Sequence, residues 1–331
     1  MSTRVTRRNA IVGLTGFVAV ALSAPRLARA TPRIVRLGHN NTQQSHYAQG
    51  AAAFAEAVQA SPALASVLTI EVHGNAELRD ELGMLKACSV GTLDLAICAN
   101  VASGSIVREN ELLNAPFLFR DVDHARAALD GAIGEEFAQI GRAAGVNVIA
   151  WGENGLRHVT SNRPIRTLSD LHGLKIRVPQ SEVMQGAFRA LGAEPGQLSF
   201  GLLREALRTG QFEAQENPII VIEQAKFYNL QKFVSLTGHI YDPALFVASS
   251  DLLEDLTQAQ QAALRSCARK GAAMTRQVAS SAQIEGLTRL KAAGMTVVDD
   301  VQLAEFRNAC RPYLEGLSAT HGARLQRLMS G

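Results

Sequence analysis

Between Gly173 and Pro179 the chain reads Leu174-Lys175-Ile176-Arg177-Val178, apolar and charged residues in alternation, which is the two-residue period of a strand with one buried face. Similar alternation, or a short wholly apolar run, predicts strands over 33–38, 67–72, 93–98, 146–151, 156–161, 212–215, 244–249 and 295–298. Apolar positions three and four apart predict helices over 45–60, 77–90, 123–144 (broken at Gly131 or Gly134), 181–191, 202–209 and 218–227. Strands alternating with helices give the α/β class with a largely parallel sheet, whose ligand crevice lies at the carboxyl ends of the strands. The polar loop 39–44 and the turn His73-Gly74-Asn75 both fall at such ends.

Two features organise the chain at longer range. Gly152-Glu153-Asn154-Gly155 interrupts the pattern and the strand-helix alternation then restarts, the mark of a second lobe. Later, one helical pattern runs from Thr257 to about Ala293, with a Thr257/Gln260 capping box at its start and Gly294 where a helix ends in a left-handed residue. At 1.5 Å per residue it would be ~55 Å long, wider than one small domain, so it must bridge both lobes or kink, with Gly286 a candidate for the kink.

Composition changes the picture in three places. The chain has 331 residues, 47% of them hydrophobic, enough for about two domains with real cores. Residues 1–30 carry Arg4, Arg7 and Arg8 before a weakly apolar run and an Ala28-Arg29-Ala30 cleavage pattern, which predicts an export signal resembling the twin-arginine type. That segment holds five arginines and no acids, so the formal charge of +3 becomes −2 without it, 28 basic against 30 acidic residues, and nucleic acid is excluded as the expected partner. No later stretch approaches the ~20 apolar residues of a membrane span. Cys88, Cys98, Cys267 and Cys310 are spaced against pairing, and four buried free thiols are expected.

No hydrolase elbow, phosphate loop, dinucleotide fingerprint or zinc-protease motif occurs in the mature chain, so neither a catalytic set nor a cofactor is expected. His39 and His46, the close histidine pair, are expected to be structural and not metal ligands. What remains is suited to an anion: Arg177 on its strand, Arg157 after the glycine-rich interruption, and Asn217 in Gln215-Glu216-Asn217-Pro218, whose amide donates while Pro218 begins a helix.

Gly152-Glu153-Asn154-Gly155-x-Arg157, then Asp170-Leu171-x-Gly173-Leu174-Lys175-Ile176-Arg177-Val178-Pro179, Gln215-Glu216-Asn217-Pro218 and Gly238-His239-x-Tyr241-Asp242-Pro243 follow one another as in a known family. Over nearly the whole mature chain the sequence resembles the substrate-binding proteins of tripartite ATP-independent periplasmic (TRAP) transporters, of the dicarboxylate-binding type. The resemblance implies a two-lobed α/β clamp of the periplasmic-binding-protein kind with a long helix bridging both lobes. It divides the mature chain into lobe I, 31–154 plus about 243–282, and lobe II, 155–242 plus about 283–331. It also implies a small organic acid ligand, a C4-dicarboxylate or sugar acid, that the protein hands to a TRAP membrane permease from the periplasm, as a monomer. Arg177 would make the bidentate carboxylate bond, Arg157 would supply a second cation, and Asn217 would complete the carboxylate's hydrogen bonds. Asn40, Glu77, Gln180 and Phe200 would contact the rest of the ligand. Leu202, Arg204 and Glu213-Ala214 depart from the family's usual residues beside the anion site and bear on which acid binds. The alternatives are a ligand-sensing subunit of a signalling system and an exported enzyme on a similar fold.

Overall fold

The computed structural model describes residues 31–321 and 323–330; the predicted export signal lies outside them. In chain order the elements are β1 Arg33–His39, α1 His46–Gln59, β2 Leu68–His73, α2 Glu81–Ser89, β3 Leu95–Ala99, α3 Val122–Asp130, α4 Ala132–Ala143 and β4 Asn147–Ser161. They continue as β5 Lys175–Val178, α5 Glu182–Ala190, β6 Glu194–Gln197, α6 Phe200–Arg208, β7 Ala214–Pro218, α7 Ile219–Gln224, β8 Phe233–Ala248 and α8 Ser250–Glu254. The chain closes with α9 Gln258–Ser281, a π-helical turn Ala282–Gly286, α10 Leu287–Ala292, β9 Thr296–Val298, α11 Leu303–His321 and α12 Ala323–Ser330. Short polar side chains start many of the helices by accepting the first free backbone N–H groups, among them Ser45, Asp80, Asp121, Ser181, Ser249 and Thr257.

The nine strands form one sheet in the order β2-β1-β3-β8-β4-β7-β5-β6, with β9 also against β8. At each end the strands are parallel, as the alternation predicts. The two long central strands β4 and β8 run antiparallel to each other and to β7 and β3, so the sheet is mixed rather than largely parallel. These two strands, of 15 and 16 residues, lie at the middle of the sheet and join its two parallel ends.

The expected break at Gly152–Gly155 is therefore corrected: it lies inside a single 15-residue strand. Its glycines answer to packing. A side chain at Gly152 would meet Thr275 Oγ1 at 2.6 Å and the Phe246 ring at 2.9 Å, and Gly155, at φ +131, sits where the β4–β8 register shifts. β8 begins well before the predicted 244–249, because Gly238 and Pro243 mask its first half in the sequence. β6 is absent from the expected strands for the same reason, its Glu-Pro-Gly-Gln sequence reading as a turn.

The long late helix is present as α9 and α10 joined by a π-helical turn that ends at Gly286, and Gly294 at φ +95 terminates it. Leu264, Cys267 and Gly271 are buried on its packed face. All four cysteines are buried and unpaired. α12 packs on α4, where Arg324 and Arg327 pair with Glu136 and Leu325 and Leu328 join Phe137 in the core.

Candidate functional site

Arg177 lies on β5 between β7 and β6, opposite Gln215 and Gly196. The strand's alternation was legible, but the arginine is not on a solvated face: it is 3% exposed. Its Nε donates to the Leu198 carbonyl at 2.8 Å, which fixes the guanidinium and leaves the Nη1/Nη2 fork without a hydrogen-bond partner among the described residues. Burial, and Arg157 nearby, pull its pKa down to about 10 while Glu216 opposes them, so the group remains charged at neutral pH. A buried cation whose bidentate edge is unengaged is a strong receptor for a carboxylate.

Arg157 stands in a different position. Nε and Nη2 grip Glu216 at 2.6 and 2.8 Å, Nη1 donates to Asp242 at 2.8 Å, and Nη2 also reaches Asn217 Oδ1 at 3.2 Å. Burial would lower its pKa, but the two carboxylates outweigh burial and raise it; Glu216 is held below the usual carboxylate range because Arg157 overcomes the effect of its own burial. The expected second ligand cation is thus largely committed to the protein, with one Nη1 hydrogen left over. It borders the inner end of the cleft and anchors a buried network: Asp242 accepts from Asn154 and Asn114, and Glu216 lies 3.2 Å from His239 Nε2.

The cleft itself is a cavity of about 660 Å³ that narrows to a pocket of about 50 Å³ beside Arg157 and Asn217. Arg177, Asn40, Glu81, Val101, Pro179 and Phe200 border both parts. Asn217 donates one amide hydrogen to Gln215 Oε1 at 2.6 Å and keeps the other. Asn40 has a buried Oδ1 with no partner, Gln180 is an exposed residue of the outer part, and Phe200 sits edge-on to Phe227 at 6.2 Å. Leu202 is an exposed apolar residue at the rim, and Arg204 turns away to the Ala225 carbonyl.

Glu77 is the site residue that the structure does not bring in. Its side chain is 62% exposed, its carboxylate lies 3.3 Å from His73 Nδ1, and it does not line the cleft. Asn75 and Ala76 both take left-handed backbone at φ 55 and 58, which delays α2 by a turn, so Asp80 caps it and Glu81 occupies the cleft. Asn75 and Asp80 are equally good caps by residue type, and the left-handed backbone at Asn75 and Ala76 leaves Asp80 as the one used. Glu81 Oε1 accepts from the Ala99 N–H at 2.8 Å, and burial raises its pKa to about 7. His39 and His46 are buried, with pKa values pushed by burial to about 4 and about 3. His46 Nε2 lies 3.2 Å from Asn154 Oδ1, a neutral structural contact.

Comparison with known proteins bears on this geometry. The profile of the family described as bacterial extracellular solute-binding protein, family 7, matches residues 37–320. The chain is 32% identical over 300 residues to the 2,3-diketo-L-gulonate-binding periplasmic protein YiaO of Escherichia coli, covering 90% of this chain and 88% of that protein. A TRAP periplasmic solute-binding protein from Polaromonas sp., crystallised with D-erythronate, superposes with a TM-score of 0.86 at 34% identity, covering 89% of this chain and 98% of that one. The sugar acid binding protein of Advenella mimigardefordensis, solved with galactonate, gives a TM-score of 0.85 at 27% identity over 91% and 97% of the two chains.

Proposed function

This chain belongs to the family 7 extracellular solute-binding proteins, the capture subunits of TRAP transporters for small organic acids, and we propose that its own ligand is a hydroxylated monocarboxylate. The carboxylate docks on the Arg177 fork, with the remaining Asn217 amide hydrogen and the free Nη1 hydrogen of Arg157 beside it. The ligand's hydroxyls face Glu81, Asn40 and Gln180, and its carbon chain lies against Phe200.

The observation that carries this reading is the distribution of charge. Among the described residues lining the larger cavity, Arg177 is the one cation, while Asp80 and Glu81 are acids. A second carboxylate would face those acids at a cost, whereas hydroxyls donate to them. The ligands in the names of three relatives at 27–34% identity, D-erythronate, galactonate and 2,3-diketo-L-gulonate, are each a monocarboxylate with hydroxyls, whereas other relatives, at 26% and 29% identity, are C4-dicarboxylate-binding proteins.

As a non-catalytic capture protein in the periplasm, it would close the lobes 31–154 with 243–282 and 155–242 with the chain after 283, and present the ligand to a TRAP permease as a monomer. The shifts of register in β4 at Glu153/Gly155 and Arg157/Val159 support a hinge at that boundary, with α12 returned to lobe I. Titration calorimetry with D-erythronate, galactonate and succinate tests the ligand class. At least tenfold tighter binding of a hydroxylated monocarboxylate than of succinate is expected; succinate binding most tightly would overturn the reading.

A further inference from the structure

Residues 147–153 of β4 pair with β8 on one side only, because β7 joins β4 later, at Arg157–Ser161. The open edge lies at the floor of a groove between α4 and α9, a cavity of about 580 Å³ that shares no lining residue with the cleft. Arg142, Arg265, Arg269 and Arg276 line it against two acids, Asp130 and Glu135. Arg276 is held by Asp130 and by the Trp151 carbonyl, yet its Nε is buried without a partner. Arg265 Nη1 reaches the Val148 carbonyl at 3.2 Å, and burial together with neighbouring Arg142 and Arg269 lowers its pKa against the pull of Glu135. Arg142 and Arg269 have no ion pair among the described residues.

These side chains refuse one use of the edge and favour another. With the Val148 and Trp151 carbonyls already capped and helices on both sides, a partner strand cannot add to β4. Three guanidinium groups with one exposed carboxylate between them, over a space of this size, lack negative charge. We propose that the groove is a second anion site, which takes a doubly charged oxyanion of the phosphate or sulfate class between Arg142, Arg265 and Arg269. Their planar forks match its oxygens, and a second negative charge answers the unpaired arginines.

The test is calorimetric titration of inorganic phosphate at constant ionic strength into protein carrying Arg177→Ala, in which the cleft has lost its carboxylate anchor. Saturable binding is expected, with sulfate competing and chloride not. Arg142→Gln with Arg269→Gln, both exposed positions, should weaken phosphate at least tenfold. In the otherwise wild-type chain, the same pair should leave affinity for the organic acid within twofold. Absence of saturable heat, equal competition by chloride, or unchanged phosphate affinity in the double variant would overturn the site. Phosphate binding seen in wild type but lost in Arg177→Ala alone would place the anion in the cleft and would likewise overturn it.

Discussion

Replacing Glu81 by glutamine separates the stability of the empty protein from its affinity. The amide keeps the oxygen that accepts from Ala99 N–H and removes the charge that burial penalises. The carboxyl's pKa is about 7 in the fold against an ordinary 4.5. An acid with a raised folded pKa costs stability as pH climbs from the unfolded value to the folded one, because the unfolded chain ionises first. Below pH 4.5 wild type and variant should match. By linkage the variant's advantage grows to ~1 kcal/mol at pH 5 and ~3 kcal/mol at pH 8, a rise of several degrees in melting temperature. Thermal melts of both proteins without ligand across pH 4 to 8 measure it. The same substitution should weaken a hydroxylated ligand at pH 8, since a carboxylate accepts from two hydroxyls where an amide accepts through one oxygen. A Glu81→Gln protein no more stable than wild type at pH 8, or an advantage that does not grow with pH, would refute the reasoning.

Arg157→Ala strands the buried Glu216 and Asp242 carboxylates and should destabilise the protein by ~3–5 kcal/mol, read as a lower urea midpoint. The four thiols should resist thiol reagents in the native protein and react together on unfolding; burial raises the pKa of each, to about 12 for Cys310. Rapid labelling of one thiol in the native state would contradict its burial.

The site was legible where local pattern and chemistry coincide. The alternation around Arg177 gave its strand, and the length of a ~55 Å helix required it to bridge two lobes or kink, which the irregular turn ending at Gly286 answers on the second count. Partners distant along the chain were not legible. Glu216 and Asp242 stand 59 and 85 residues after Arg157, and no pattern near Arg157 says that two acids consume its donors before a ligand arrives. Glu81 escaped for a local reason, since two consecutive left-handed residues, one of them an alanine, are not written in side-chain periodicity. The continuity of β4 was hidden because Gly152 and Gly155 read as a linker, although one makes room for Thr275 and the other sits at a register shift.

The most direct measurement of the central claim is the affinity of Arg177→Lys for the identified acid, by titration calorimetry beside wild type and Arg177→Ala. A buried charge-assisted pair that loses its partner costs ~2–5 kcal/mol, which is roughly 30- to 4,000-fold in affinity. A lysine restores the charge but neither the paired donors nor the Nε contact to the Leu198 carbonyl. The account predicts that both variants lose at least 30-fold; binding by Arg177→Lys within a few fold of wild type would contradict it.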